Sequence, residues 1–183
     1  MNYYEYDTDT NNFNSVHLIL DEGRKILNAF HKAKPMAKKW TPITVHAFDD
    51  NPGPDGDFPS LNDYSLIPIF SERAWAILKP LIGTSVEALP IIYPSGKPFY
   101  MINIIGAVDC LDESRSEVTR NDFSNRISRI WRYAFISKPM NGKHILQLPT
   151  ESGSDVLVSE SFRSLYEHRN LQGLLFKPLP LVE

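Results

Sequence analysis

Apolar and polar positions change period several times along the chain, and each change marks a predicted element. Tyr3-Tyr4-Glu5-Tyr6 alternates weakly and is rich in β-favouring residues, which predicts a short first strand. Asp7 to Asn14 is dense in Asn, Asp and Thr and reads as a loop. From Asp21 to Lys32 the spacing places Ile26, Leu27 and Phe30 on one helical face, with Gly23 interrupting. Lys38 to Phe48, carrying Trp40, Ile43, Val45 and Phe48, reads as a strand. Pro42 confines it to a sheet edge, because proline has no N–H for a ladder. Asp49 to Ser60 (DDNPGPDGDFPS) can hold neither helix nor ladder and is expected to be a surface loop.

The run Leu66 to Phe70 leads into Ser71-Glu72, an N-cap serine followed by an acid suited to the positive end of a helix. Ala74, Ile77, Leu78 and Leu81 then form a helical stripe, which Pro80 should end or kink before Gly83. Val86 to Tyr93 and Phe99 to Val108 flank the turn sequence Pro94-Ser95-Gly96-Lys97 and predict a hairpin. Cys110 to Asp122 is polar, hence a loop or short helix. Ile127 to Ile136 reads as a strand, joined by Asn141-Gly142 as a hairpin turn to His144 to Leu148. Val156-Leu157-Val158 precedes a second Ser-Glu cap, Ser159-Glu160, with Phe162, Leu165 and Tyr166 at helical spacing. A turn and last strand over Leu171 to Phe176 follow, closed by Pro178 and Pro180. The sum is an α+β chain, mainly antiparallel sheet with two or three short helices, expected as one domain over residues 1–183.

Composition narrows the classes of function. At 183 residues, 42% hydrophobic and 22% charged, the chain can build a core without staples. Nineteen Lys and Arg against 22 Asp and Glu give a net charge of −3, unlike the basic face of a duplex-binding protein. One cysteine, Cys110, excludes an intrachain disulfide. The acidic, aromatic start lacks the order of a signal peptide, and no apolar run has the ~20 residues of a membrane helix. The expectation is a cytoplasmic globule with neither nucleic acid nor membrane as partner.

The local motifs of catalysis are missing. No two glycines are two, four or five residues apart, which removes G-x-G-x-x-G, G-x-S-x-G and the P-loop. The nearest histidines are 14 residues apart, so no helical H-x-x-x-H zinc site exists. An EF-hand register with Gly56 at the sixth position puts Asn51, Gly53 and Asp55 at the first three ligand positions. It leaves Asn62 where a bidentate Glu is needed, and it fails. Cys110 reads as a small buried hydrophobe, and His46 and His144 as paired strand residues. The acids Asp109, Asp112, Glu113 and Glu117, and the bases from Arg24 to Lys39, read as solvated surface. No metal, cofactor or catalytic group is expected.

In their order, several residues resemble one family. These are Asp63; Pro68-x-Phe70-Ser71-Glu72-x-Ala74 with Leu78; Glu87-x-Leu89-Pro90; Tyr100-x-x-Asn103; Asp109 with Ser114; Val158-Ser159-Glu160-x-Phe162; and Leu171-x-Gly173-x-x-Phe176. From about Asp63 to Phe176 the chain resembles the Imm11 family of bacterial immunity proteins, found beside polymorphic toxins. The resemblance implies a small protein that binds and neutralises a cognate toxin domain, with no reaction centre of its own. Asp49, Asp50, Asp55 and Asp57, dense in one loop, are the expected toxin-facing residues, since acidic loops speed encounter with a basic target. The competing readings are a small enzyme with a site assembled from dispersed Asp, Glu, His and Cys110, and a general regulatory binding module.

Overall fold

A computed structural model of the chain describes residues 2–48, 53–62, 67–125, 127–149 and 156–179. In chain order the elements are β1 (Tyr3–Thr8), β2 (Ser15–His17), α1 (Leu20–Phe30), β3 (Ile43–Thr44), β4 (His46–Ala47), β5 (Ser60–Leu61), β6 (Ile69–Ser71), α2 (Glu72–Ile82), β7 (Val86–Ile92), β8 (Phe99–Ile104), β9 (Glu117–Arg120), β10 (Ile127–Arg132), β11 (Ile145–Gln147), β12 (Val156–Ser159), α3 (Glu160–His168) and β13 (Leu174–Pro178). Two four-stranded sheets carry the fold, in the orders β3-β7-β8-β6 and β11-β12-β1-β13. A three-stranded sheet β4-β2-β5 and the hairpin β9-β10 complete it. The α+β class read from the sequence is the observed one.

Both large sheets contain the same supersecondary unit. β6 and β7 each run antiparallel to β8, so they are parallel to one another, with α2 crossing between them. β12 and β13 stand in the same relation to β1, with α3 as the crossover. Each unit is a split β-α-β with an antiparallel strand between its parallel pair. The rungs correspond as well. Phe70, Tyr100 and Pro90 lie side by side in one sheet; Val158, Tyr4 and Pro178 lie side by side in the other. The two Ser-Glu caps thus mark one design used twice. Ser71 Oγ accepts from the Ala74 N–H at 3.0 Å and Ser159 Oγ from the Phe162 N–H at 3.3 Å, each stopping a strand and opening a helix.

Alternation along the strands divides the interior into three clusters. Tyr4, Tyr6, Val156, Val158 and Ile145 meet Ile102, Ile104, Val86 and the helix residues Ala74, Leu78 and Phe162 in a core shared by both units. The intervening positions face away. Met101, Phe99 and Leu89 pack under α1 with Phe30, and Tyr3, Leu146 and Leu157 pack with Cys110, Phe135 and Met140. Period-two side chains buried on both faces explain why these strands read as nearly continuous apolar runs.

Several expectations need correction. Lys38 to Phe48 is not one strand but a 3-10 turn over Ala37–Lys39 followed by β3 and β4, which lie at the edges of two different sheets. Pro80 does not end α2, which continues to Ile82. Phe99 to Val108 is a strand only to Ile104, because Gly106 turns the backbone at φ 78°. The polar stretch Cys110 to Asp122 contains a strand, β9. Asn141-Gly142 does not join a hairpin. Asn141 has φ −57° and ψ 130° and Gly142 φ 74°, the signature of a type II turn, with the Lys143 N–H donating to the Met140 carbonyl at 3.0 Å. A tight two-residue hairpin of type I′ needs positive φ at both residues, and Asn141 does not supply it.

Candidate functional site

The acidic loop divides into parts with different roles. Asp49 and Asp50 lie outside the described residues. Asp55 is half-buried, 3.5 Å from Lys97 Nζ. Asp57 is turned inward, with 6% of its surface exposed. One carboxylate oxygen accepts from the Ser71 hydroxyl at 2.7 Å; the other accepts from Arg73 at 2.8 Å and from the Gln172 N–H at 3.0 Å. Arg73 in turn donates to the Arg169 carbonyl at 2.7 Å. Asp57 therefore ties the loop to the start of α2 in one unit and to the end of α3 in the other. Beside this clip the backbone of Gly173 takes a φ of 111°, a conformation that side chains rarely adopt, next to the Phe58 backbone. Among the described residues, the acidic density seen in the sequence mixes one structural clip, Asp57, with one carboxylate nearer the surface, Asp55.

Cys110, His144 and His46, the groups considered for catalysis, each make separate contacts. Cys110 is fully buried, and burial, helped by the Asp109 charge, pushes its thiol up to about 12, the opposite of an activated nucleophile. A ring nitrogen of His144 lies 2.9 Å from Ser159 Oγ, the second cap serine. His46 pairs across the ladder with His17, their rings 5.6 Å apart. Among the described residues no group of three or more His, Cys, Asp or Glu is placed to hold a metal ion. The second acidic stretch is engaged locally: Asp112 accepts from the Ser114 hydroxyl and from Arg115, and Glu113 pairs with Arg120. The Ser114 hydrogen bond, opposed by desolvation and reinforced by Arg115, holds the Asp112 carboxyl below its ordinary value.

Two residues of the family resemblance prove to be framework. Glu87 and Asn103 face each other across β7 and β8. The Glu87 carboxylate accepts from the Met36 N–H at 2.7 Å, the Ala37 N–H at 3.2 Å and the Asn103 amide at 2.9 Å. The same amide also donates to the Lys34 carbonyl at 2.9 Å. Desolvation would raise the Glu87 carboxyl, but these donors outweigh it and hold the group below 4.5. The pair fastens the segment after α1 to the sheet.

Two surface features have no such framework role. A cleft of about 770 Å³ opens between the end of α1, the Gly106 turn and the β9-β10 hairpin, lined by Lys32, Lys34, Asp109, Arg120 and Gln147 among others. Lys32 and Lys34, read from the sequence as one wet helix side, thus flank a concavity. The hairpin itself carries Phe123, wholly exposed, and Trp131, 57% exposed. Sequence reading placed Trp131 in a strand without seeing its exposure. The signal was present: Ile127 and Ile130 are three apart and Ile130 and Trp131 adjacent, spacings a regular strand cannot place on one face. A third surface, a depression of about 560 Å³ over Ile19, Pro42, Ile43 and His46, lies beside the strand that leads into the acidic loop.

Residues 93–179 match the model of the Immunity protein family (Imm11), a family that is generally non-catalytic. The matched span runs from the β7-β8 turn through β8, the hairpin, β11, β12, α3 and β13, and includes the whole second Ser-Glu helix. No curated protein matches the chain. Among the described residues no helix is long and apolar enough to cross a membrane.

Proposed function

We propose that this chain is a cytoplasmic immunity protein that neutralises a cognate bacterial toxin domain by binding it and occluding its working surface. The observation that carries the reading is the match of residues 93–179 to the immunity family. Two features support it. Cys110 is buried and His144 is engaged with a cap serine, as suits a protein acting through its exterior. Exposed apolar groups such as Trp131, Phe123 and Ile19 stand on that exterior, where binding would bury them. In this reading Asp49, Asp50 and Asp55 steer the encounter with a basic toxin surface, while Asp57 holds the loop in place. A specific complex buries on the order of 1,600 Å².

The experiment is co-expression with the C-terminal domain of the protein encoded by the neighbouring reading frame, tested as the toxin. Growth rescue together with a stoichiometric complex is the expected result; rescue without a complex, or turnover of a metabolite by the purified chain alone, overturns occlusion. Charge reversal of Asp49, Asp50 and Asp55 should slow association by tenfold or more at low salt, an effect that fades as salt rises.

A further inference from the structure

Residue counting across the β9-β10 hairpin shows why its tryptophan is outside. Glu117 to Arg120 pair in succession with Arg132, Ile130, Arg129 and Ile127, so β10 holds two residues, Ser128 and Trp131, with no partner on β9. Both are bulge positions, and bulges re-aim side chains. The first bulge lets Ile127 and Ile130, despite their spacing of three, both pack with Val118 against the cluster around Phe135. The second ejects Trp131. The hairpin is thus fastened by its inner face while the indole is left to the solvent.

That indole is held in one pose. Its Nε1–H donates to Thr119 Oγ1 at 2.9 Å, and the Arg129 guanidinium lies 3.7 Å from the ring centroid. A side chain already fixed in the free protein loses little conformational freedom on docking. Trp and Arg are also the residues most enriched where binding energy concentrates. The charges around them are unequal: Glu113 is taken by Arg120 and Asp112 by Arg115, whereas Arg129 has no carboxylate partner among the described residues. This leaves a cation beside an exposed aromatic on a chain whose net charge is −3.

We infer that Trp131, with Arg129 stacked on it, is the anchor that grips the toxin, seating in an apolar cup rimmed by carboxylates on the toxin domain. The inference rests on the immunity reading above. A protein partner suits the site better than a nucleic acid strand, since Arg129 already occupies one face of the ring on which a base would stack. The acidic loop and this anchor then divide the work: one accelerates encounter, the other sets the lifetime of the complex.

The test uses the full chain and, as the toxin domain, the C-terminal domain of the protein encoded by the neighbouring reading frame. Trp131→Ala combined with Arg129→Ala should weaken the complex about 30-fold or more, mainly through faster dissociation, with the melting temperature nearly unchanged. Arg129→Glu alone should weaken binding more at low than at high salt. A measurement on the native sequence does not depend on the variants folding: with fluorotryptophan labelling, the Trp131 resonance shifts on toxin addition while that of Trp75, on α2, does not. Affinity within threefold of native for the double variant, or an unmoved Trp131 resonance in a formed complex, overturns the inference and leaves the immunity reading intact. Loss of affinity for a single-stranded oligonucleotide with toxin binding unchanged overturns it too. A native chain that forms no complex with the toxin domain overturns both.

Discussion

The two split β-α-β units share a serine cap, a tyrosine-proline rung and a crossover helix, yet they draw their middle strand from opposite places in the chain. In the first unit the middle strand is β8, reached from β7 through the tight turn at Pro94 to Lys97. In the second it is β1, more than 140 residues before its partner β12, so the unit closes only when the two ends of the chain meet. One unit is local and the other is closed by its longest-range contact. The difference shows that the design tolerates either connectivity, and that the second unit is the one exposed to loss of the N-terminus. The cap serines differ in the same sense. Ser71 is bound to a buried carboxylate, Asp57, that reaches across to the other unit, whereas Ser159 has a neighbouring imidazole, His144.

The largest test of this comparison is to break the remote closure. Deleting residues 1–8 removes β1 and separates β12 from β13, so the chain should lose its cooperative thermal transition, read by circular dichroism. A circular permutant that joins Glu183 to Met1 and opens between Ser95 and Gly96 exchanges the roles of the units. The second becomes local and the first remote. It should fold with a stability within about 1–2 kcal/mol of native, because loop closure entropy grows slowly with length. A permutant that fails to fold would show that the β7-β8 turn cannot be made remote.

A smaller effect sharpens the contrast between the caps. Asp57→Ala leaves the Ser71 hydroxyl, the Gln172 N–H and Arg73 without their acceptor and should cost about 3 kcal/mol. Ser71→Ala should cost about 2 kcal/mol and Ser159→Ala about 1 kcal/mol, since only the first also deprives a buried carboxylate of a donor. Urea denaturation measures all three, and the Asp57/Ser71 double-mutant cycle should show coupling. Equal costs for the two serines would erase the distinction.

The smallest effect concerns Glu87, which fastens only the local unit. Its carboxyl is lower in the folded chain than the ordinary 4.5, so the stability it contributes is fully present above that value and is lost as pH falls through the lowered one. Glu87→Gln should be slightly less stable than native near neutrality and lose less on acidification. Denaturant midpoints measured from pH 6 down to pH 3 check this; parallel profiles would remove Glu87 from the account.

What could be read in advance follows the same division between local and remote. Ser71-Glu72 and Ser159-Glu160 announced their helices because an N-cap bond spans three residues. The β7-β8 hairpin was legible for the same reason. β2 and β5, three and two residues long, carry too few positions to show a period and owe their existence to partners far along the chain. Asp57 looked like its acidic neighbours because the groups that bury it, Arg73 and Gln172, are 16 and 115 residues away. β9 was hidden by its charge: Glu117 and Arg120 are exposed strand residues on a hairpin with one wet face. The anchor at Trp131 depends on a count of residues on two strands at once, which no single window of sequence displays.

The meeting of the chain's ends has a mechanical result. Tyr4 lies opposite Pro178 on an edge strand, and the ladder runs from there inward to Thr8 and Leu174. A pull on both tails loads these rungs in series, like a zip opened from its slider, and not all at once as in shear. A pull applied beyond Pro178 therefore opens the β1–β13 ladder one rung at a time, and peeling that one strand strips the outer side of the second unit.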